Sequence, residues 1–566
     1  MGRFSGTLIW FQTVPLPGRV SRCQWPGEAV RFVGRPETMM EGAKNNPQDD
    51  VAKLRRSPHA MASWQHAQDY LRRHRHAAAL AGYRKLVDQF PGVPQLWAEM
   101  GAAAEGDLDF PLAGQALQRA TELAPADAPF FLALSQQYYR LRLLDQAFAC
   151  LQRAVAANPS SIQARLRLAS WLERNRRMDE ARECLEACLA RYPNDARTLY
   201  FRAFLLHRKG LNSEAESALR DLLKDDALLP LDVQAEANEL LGAVLDALGQ
   251  YGEALSFVNK AKALRLRTVN MAQVEALYDQ KDRARRELLA ALTPETLRRW
   301  REEAAGAPCP HPLALVGGAP RSGTTLIEQI LGAHPRIVVI DESIASLNVL
   351  VEPLQPPPPA PGPTLKSLNA LAPAQRAALI SRYFKSLLRE TQEDPAGRLL
   401  LDKNPSTTVW LYLWLRLFPL SKVVIALRDP RDTVVSCYFQ PVTADWGTIS
   451  FLSLERTAKF YAICMDVWLR LRDLGGFDWI ETRYEDVVAN LEAEGRRVTN
   501  FLGLPWHEAQ ATYYETTRRK YIHSPTYNEV AKPVYKTAVG RWKHYAGALE
   551  PLQGTLARYC KAFGYG

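Results

Sequence analysis

Pro91, Pro125, Pro159 and Pro193 stand 34 residues apart, in "DQFP", "ELAP", "AANP" and "ARYP". A second series keeps step with the first: Ala79, Ala113, Ala147, Ala181 and Ala215, resuming at Ala254 after a five-residue insertion around "LLPLDV". Thirty-four is the period of a helix-turn-helix unit that cannot bury its apolar face alone and so stacks on copies of itself. In "RLLDQAFACLQRAVAANP" and "RRMDEARECLEACLARYP" the alanine is small where two helices cross closely, and the proline ends the second helix because it cannot continue it. About six such units fit between roughly 62 and 270. Their concave face suits a peptide or protein partner; the alternative is that the array braces the second half of the chain or joins copies of the protein.

At 566 residues the chain is too long for one core. Its 71 basic residues outnumber 61 acidic ones, for a formal charge of +10, which favours acidic ligands. No zinc-finger pattern, aromatic RNA motif or long basic block accompanies that charge, so nucleic acid is set aside as a partner. The eight cysteines are scattered and form no CxxC pair, as in a reduced, intracellular protein. Cys184 and Cys188 read as core packing on one helix, not as a metal site. No apolar run reaches the ~18 residues of a membrane span, and the cytoplasm is the default compartment. Residues 1–58 lack periodicity and read as disordered, or as an over-extended start ahead of Met39, Met40 or Met61. The repeats take 59–275, and the basic stretch around "QKDRARRELL" opens a helical linker over 276–311.

After Pro312 the pattern changes. "LALVGG" is a short apolar, strand-forming run, followed by Gly, Pro and Ser and then by the amphipathic "TTLIEQILGAHP". That is strand, loop and helix, with loop amides and a positive helix end open to an anion. The frame Gly318-x-x-x-x-Gly323-Thr-Thr would be a Walker A loop if Thr324 were lysine. Arg321 instead supplies a planar fork of donors, and Thr324 and Thr325 bring hydroxyls to the helix start. A second unit repeats this logic. "SKVVIAL" (421–427) runs into "RDPRDTVVSCYFQ", which puts Arg428 and Arg431 at a strand's carboxyl end and Ser436 about two turns into the next helix. Taken alone, RDPRD fits a surface ion pair equally well.

Two anion grips argue for a ligand phosphorylated at both ends. A triphosphate kinase would want the P-loop lysine and a magnesium-binding acid, and neither is evident. Sulfuryl transfer from 3′-phosphoadenosine-5′-phosphosulfate (PAPS) fits better and needs no metal.

On these motifs, residues 312–566 resemble a PAPS-dependent sulfotransferase, with the pattern of the tyrosylprotein sulfotransferases and of bacterial proteins that join tetratricopeptide repeats to such a domain. The resemblance implies an α-helical tetratricopeptide-repeat solenoid followed by an α/β, P-loop-like domain with a central parallel sheet. It implies that Arg321, Ser322, Gly323, Thr324 and Thr325 in "PRSGTTL" bind the 5′-phosphosulfate, and that Arg428 and Ser436 in "LRDPRDTVVS" take the 3′-phosphate, with 3′,5′-ADP as product. Lys403 in "DKNP" falls at the family's catalytic lysine, and Glu342 in "HPRIVVIDES" at the catalytic base of the tyrosylprotein enzymes. Tyr484 in "RYEDVV" matches a tyrosine that contacts the nucleotide. "TYNEVAKPVY" and "GRW" resemble the segment that covers the cofactor, with Thr526 standing for a serine and Arg541 for a lysine.

Each of these residues has a distinct chemical task. A phenol has a pKa near 10, so an attacking hydroxyl needs a base such as Glu342, although Asp341-Glu342 could equally cap the next helix beside Ser343. Negative charge grows on the oxygen leaving sulfur, where Lys403 and Arg321 are stabilising; a lysine at a strand end can also be merely solvated. "PLQPPPPAPGP" (353–363) is a stiff rim, a linker or an SH3-type ligand. Two competing functions remain: a repeat-based binding scaffold with an inactive nucleotide-binding domain, and a P-loop kinase.

Overall fold

Each recurrent alanine sits near the start of the second helix of a hairpin. The computed structural model describes residues 47–566 apart from 307–308, 344, 357–359, 392, 442–448, 518–528 and 536. These divide into two compact units, one ending at Leu205 and one running from Leu206 to Gly566.

The first unit opens with α1 (Pro47–Arg56), α2 (Pro58–Arg72) and α3 (His76–Gln89). It continues with α4 (Pro94–Gly106), α5 (Phe110–Leu123), α6 (Ala128–Arg140), α7 (Leu144–Ala157), α8 (Ile162–Arg174) and α9 (Met178–Leu189), and the unit boundary falls within α10 (Ala196–Arg208). The helices pack as hairpins, α2 on α3, α4 on α5, α6 on α7 and α8 on α9. Ala79, Ala113, Ala147 and Ala181 are at most 1% exposed, so any larger side chain there would push two helices apart. Helix starts are capped by Ser57, Asp109, Asp127 and Ser161, whose side chains accept from backbone amides three residues on. A further 34-residue series lies in the turns: His74, Leu108, Arg142 and Arg176 all have positive φ, and Gly210 continues it. Side chains give no hint of that series, because only the last member is glycine.

Helix α1 corrects the sequence reading, which left 1–58 without structure. Asp50 is buried and accepts the Gly92 amide at 2.9 Å, and Leu54 joins the hairpin core. A hydrogen bond across 42 residues leaves no local periodicity to read.

The second unit starts with the last repeat helices, α11 (Asn212–Leu222), α12 (Leu231–Ala247) and α13 (Tyr251–Leu266), followed by α14 (Met271–Ala291) and α15 (Pro294–Ala305). The stretch read as a linker is therefore helical, and it is built into this unit. Trp300 is fully buried and donates to Asn369 Oδ1 at 2.9 Å, while Arg470 donates to the carbonyls of Leu289 and Leu292.

Five strands form one parallel sheet in the order β2-β3-β1-β4-β5: β1 (Leu313–Gly318), β2 (Ile337–Asp341), β3 (Leu399–Lys403), β4 (Lys422–Leu427) and β5 (Trp479–Arg483). The runs of Val, Ile and Leu in β1 to β4 suit strands covered on both faces, whereas β5, Trp-Ile-Glu-Thr-Arg, is a half-covered edge. Ala314, Val316 and Val424 share a core with Ile327 and Ile330 of α16 (Thr324–Gly332), the helix that follows β1. The chain leaves β1 toward β2 and β3 on one side and reaches β4 and β5 on the other. That makes the carboxyl edge between β1 and β4 a topological switch point, where open α/β sheets take ligands.

Candidate active site

Every strand of the sheet delivers a candidate residue at its carboxyl end. Beyond β1 lies the loop 319–323. Gly318 has φ 139° and Gly323 has φ 93°. A Cβ on Gly318 would lie 2.4 Å from the Ala426 carbonyl oxygen, and one on Gly323 2.8 Å from the Tyr484 ring, so both must be glycine. Thr408 clamps the loop's entry: its hydroxyl accepts from the Gly318 amide at 2.7 Å and donates to the Gly318 carbonyl at 2.9 Å. Ser322, Thr324 and Thr325 are buried at the start of α16, where Gly323 supplies no side-chain cap to the first-turn amides.

Arg321 and Glu342 are set apart by their backbones. Outside the repeat turns they are, among the described residues, the two non-glycine positions with positive φ, at 67° and 53°. That conformation costs roughly 1–2 kcal/mol per residue, and strain of this kind concentrates at functional sites. Arg321 Nε donates to Ser436 Oγ at 3.2 Å across 115 residues. Burial pulls its guanidinium below the ordinary arginine value, so an anion at this point would restore what desolvation removes.

Arg428 leaves β4 and is buried. It donates to the Arg321 carbonyl at 3.4 Å and to the Ala538 carbonyl at 2.5 Å, and its guanidinium lies 5.0 Å from the centre of the Tyr484 ring. Arg428 Nε and Ser322 Oγ are both buried with no hydrogen-bond partner among the described residues. Two unpaired donors facing a glycine-walled loop are what an anion-binding pocket leaves behind. Arg431 has a different task. It grips Asp429 through two hydrogen bonds of 2.7 and 2.9 Å and stacks on Trp542 at 3.9 Å, so for this arginine the ion-pair reading holds.

On the other side of β1, Lys403 ends β3 fully buried, which rules out a merely solvated lysine. Its ammonium lies 2.5 Å from Asp341 Oδ1, 2.9 Å from Glu342 Oε1 and 3.4 Å from Glu328 Oε2. Burial alone would lower its pKa, but the charges of the neighbouring acids, Asp341 foremost, outweigh that and raise it well above the ordinary lysine value. Burial, reinforced by the Asp341 charge, pushes the Glu328 carboxyl well above the carboxylate range, so Glu328 is the neutral member. The Glu342 amide donates to the Lys403 carbonyl at 2.8 Å, continuing the strand pairing, and its carboxylate keeps 18% of its surface exposed. Of the carboxylates near Lys403 it is the one with the most open face.

Some expectations fare differently. Thr526 lies outside the described residues, as do residues 357–359 of the proline-rich segment. Arg541, read as donor-binding, has its guanidinium paired with Asp246 of α12 at 3.0 Å in this structure. The backbone around it does join the site, since Gly540 and Trp542 donate to Asp432 at 2.7 Å each and Ala538 accepts from Arg428. Sequence reasoning also missed Tyr535, whose phenol burial pushes up to about 12 against the lowering pull of the Arg321 and Arg428 guanidiniums. It missed Glu328 and Asp432 as well; each looks like an ordinary helical acid until the fold buries it.

Residues 312–508 match the sulfotransferase family model and residues 162–205 the tetratricopeptide repeat model. The chain is 26% identical over 348 residues to an uncharacterized protein of Aquifex aeolicus, covering 60% of this chain and 43% of that one. It is 28% identical over 256 residues to the protein-tyrosine sulfotransferase of Drosophila melanogaster, covering 41% of this chain and 47% of that one. Among solved structures, the sulfotransferase domain of the Synechococcus PCC 7002 olefin synthase aligns over 45% of this chain and 96% of its own, at 20% identity and a TM-score of 0.33. The chain thus spans less than half the length of these two curated relatives. It carries a sulfotransferase-family domain preceded by tetratricopeptide-repeat helices. No described helix is long and apolar enough to cross a membrane.

Proposed function

We propose that this protein transfers a sulfuryl group from PAPS to a hydroxyl or phenol, and that its repeats bind the acceptor or a partner protein. The observation that carries this reading is the split of the strand ends around β1: two arginines with a spare donor on Arg428 and another on Ser322 on one side, a lysine locked to a reachable glutamate on the other. The spare Ser322 and Arg428 donors and the glycine-walled loop fit a donor with phosphates at both ends. The loop residues Arg321 to Thr325 would take the 5′-phosphosulfate, and Arg428 and Ser436 the 3′-phosphate, with Tyr484 beneath the loop.

Glu342 removes the acceptor proton as the acceptor oxygen bonds to sulfur. The bond between sulfur and the bridging phosphate oxygen breaks, and 3′,5′-ADP departs with the electron pair. Lys403 and Arg321 stabilise the charge that grows on that bridging oxygen. The Lys403 ion pair also holds the Glu342 carboxylate in place before the acceptor arrives. The Drosophila relative's name supports a protein tyrosine as one acceptor of this class. A kinase reading finds no support at Thr324, which stands where the P-loop lysine would be.

Calorimetry with 3′,5′-ADP in the presence of a chelator tests the donor. We expect binding without magnesium, and a requirement for metal would overturn the assignment. Transfer of radiolabelled sulfate from PAPS to phenols and tyrosine peptides then tests the reaction, and an unlabelled product from protein that does bind 3′,5′-ADP would favour the inactive-scaffold reading.

A further inference from the structure

The last repeat hairpin is joined to the donor side of the sheet by polar contacts at two places, one of them made by a fully buried lysine. At the first, Lys262 of α13 is fully buried and donates to the Gln440 carbonyl at 2.7 Å, just beyond helix Pro430–Tyr438. Glu239 of α12 balances that charge, 3.4 Å from Lys262 and gripped by Arg265 at 2.8 and 3.1 Å. One turn away, the Tyr438 hydroxyl donates to Asn259 Oδ1 at 2.6 Å. This helix carries Ser436, the partner of Arg321.

At the second place, Asp246 at the end of α12 takes the Arg541 guanidinium at 3.0 and 3.2 Å and also accepts from the Tyr545 hydroxyl. Tyr251 of α13 stacks on His544 at 3.8 Å. The segment held there, 538–545, closes on Arg428 through Ala538 and on Asp432 through Gly540 and Trp542. A buried lysine is costly unless every donor is used, and here it is spent on fixing a backbone carbonyl next to Ser436.

We propose that α12 and α13 are a positioning element of the 3′-phosphate side of the donor site, with Lys262 setting the end of the Ser436 helix and Asp246 setting the segment that closes on Arg428. This rests on the reading of Arg428 and Ser436 as the 3′-phosphate grip. It makes the last repeat part of the nucleotide site and not only a docking module, so a partner that shifts this hairpin would change donor affinity.

The test uses the full chain and the variants Asp246→Asn, Lys262→Met and the charge swap Asp246→Arg with Arg541→Asp. Arg265 remains on Glu239 when Lys262 is replaced, so no carboxylate is stranded. Calorimetry should show each single variant binding 3′,5′-ADP roughly three- to thirtyfold more weakly, with 5′-AMP binding unchanged and the swap recovering most of the loss. Unchanged 3′,5′-ADP affinity, or an equal loss for both nucleotides, would overturn the proposal. Hydrogen exchange without nucleotide supplies an independent readout. Faster exchange at 430–440 and 538–545 in the single variants supports the proposal, and unaltered exchange there overturns it. Should the unmodified protein not bind 3′,5′-ADP at all, the donor reading fails, and the exchange result alone decides whether the hairpin positions these segments.

Discussion

On one side of β1 the sheet buries a lysine among three carboxyl groups; on the other it sets two arginines against carbonyls and a hydroxyl. Lys403 has Asp341, Glu342 and Glu328 within 3.4 Å. Arg321 holds Ser436, and Arg428 holds the carbonyls of Arg321 and Ala538. The nearest carboxylate to Arg428, Asp432 at 3.8 Å, is already occupied by the amides of Gly540 and Trp542. The difference is one of completeness. The lysine side is electrostatically finished, which suits a lysine that must stay cationic through a reaction. The arginine side is short of negative charge, which suits a place where an anion arrives.

This contrast predicts that damage on the two sides will read out differently. The largest effect belongs to Glu342→Gln, which keeps the shape and removes the proton acceptor. The kcat should fall by roughly 10²–10⁴-fold, while 3′,5′-ADP affinity stays nearly constant. The loss should shrink with nitrophenol acceptors, which give up their proton more readily. A parallel loss of melting temperature and nucleotide affinity would make Glu342 a structural group.

Lys403→Ala strikes the finished side at its centre. Removing one partner of a buried cluster costs about 3–5 kcal/mol, because Asp341 and Glu342 are left as uncompensated neighbours. Urea denaturation should report that loss, and stability within about 1 kcal/mol of the unmodified protein would mean that the cluster does not hold as a tight pair in solution. Arg428→Ala should be smaller in stability and visible in binding. A charge-assisted hydrogen bond contributes about 1.5–3 kcal/mol, so 3′,5′-ADP should bind roughly 10- to 100-fold more weakly and 5′-AMP nearly as before. Equal weakening of the two would misplace the 3′ grip.

How far the sequence reveals this contrast depends on what each feature needs. Helix hairpins and strands announce themselves, because Ala113 or Val424 must be small or apolar wherever its element packs. The glycine frame and Arg428 are legible for a related reason: a backbone turn and a strand end each restrict residue type locally. Glu328 is not. It stands in "TTLIEQIL" like any helical glutamate, and only the pairing of β2 with β3 brings Asp341 and Lys403 to it. Lys262 and Asp246 are hidden in the same way, since their partners lie 178 and 295 residues further on. The Arg541 partner is equally hidden, because motif position speaks for the backbone while the side chain meets a carboxylate from the repeats.

Glu328→Gln carries the smallest expected effect and the clearest sign. An unfolded glutamate titrates near 4.3, and in the folded protein burial and the Asp341 charge raise that value. Above about pH 4 the folded state therefore keeps a proton that the unfolded state has released, and stability falls as pH rises toward the folded value. Glutamine has the same shape and no proton to lose, and Asp341, Glu342, Lys403 and the neighbouring Gln329 amide are common to both proteins. The two should melt together near pH 4, with the glutamine protein gaining over the glutamate protein as pH increases to 8. If Glu328 were instead an ionised partner of Lys403, its folded pKa would be depressed and the sign would reverse, with glutamine the less stable protein above pH 5. Melting temperatures of the pair across that range separate the two cases, and with them the claim that Glu328 keeps its proton beside Lys403 in the folded protein.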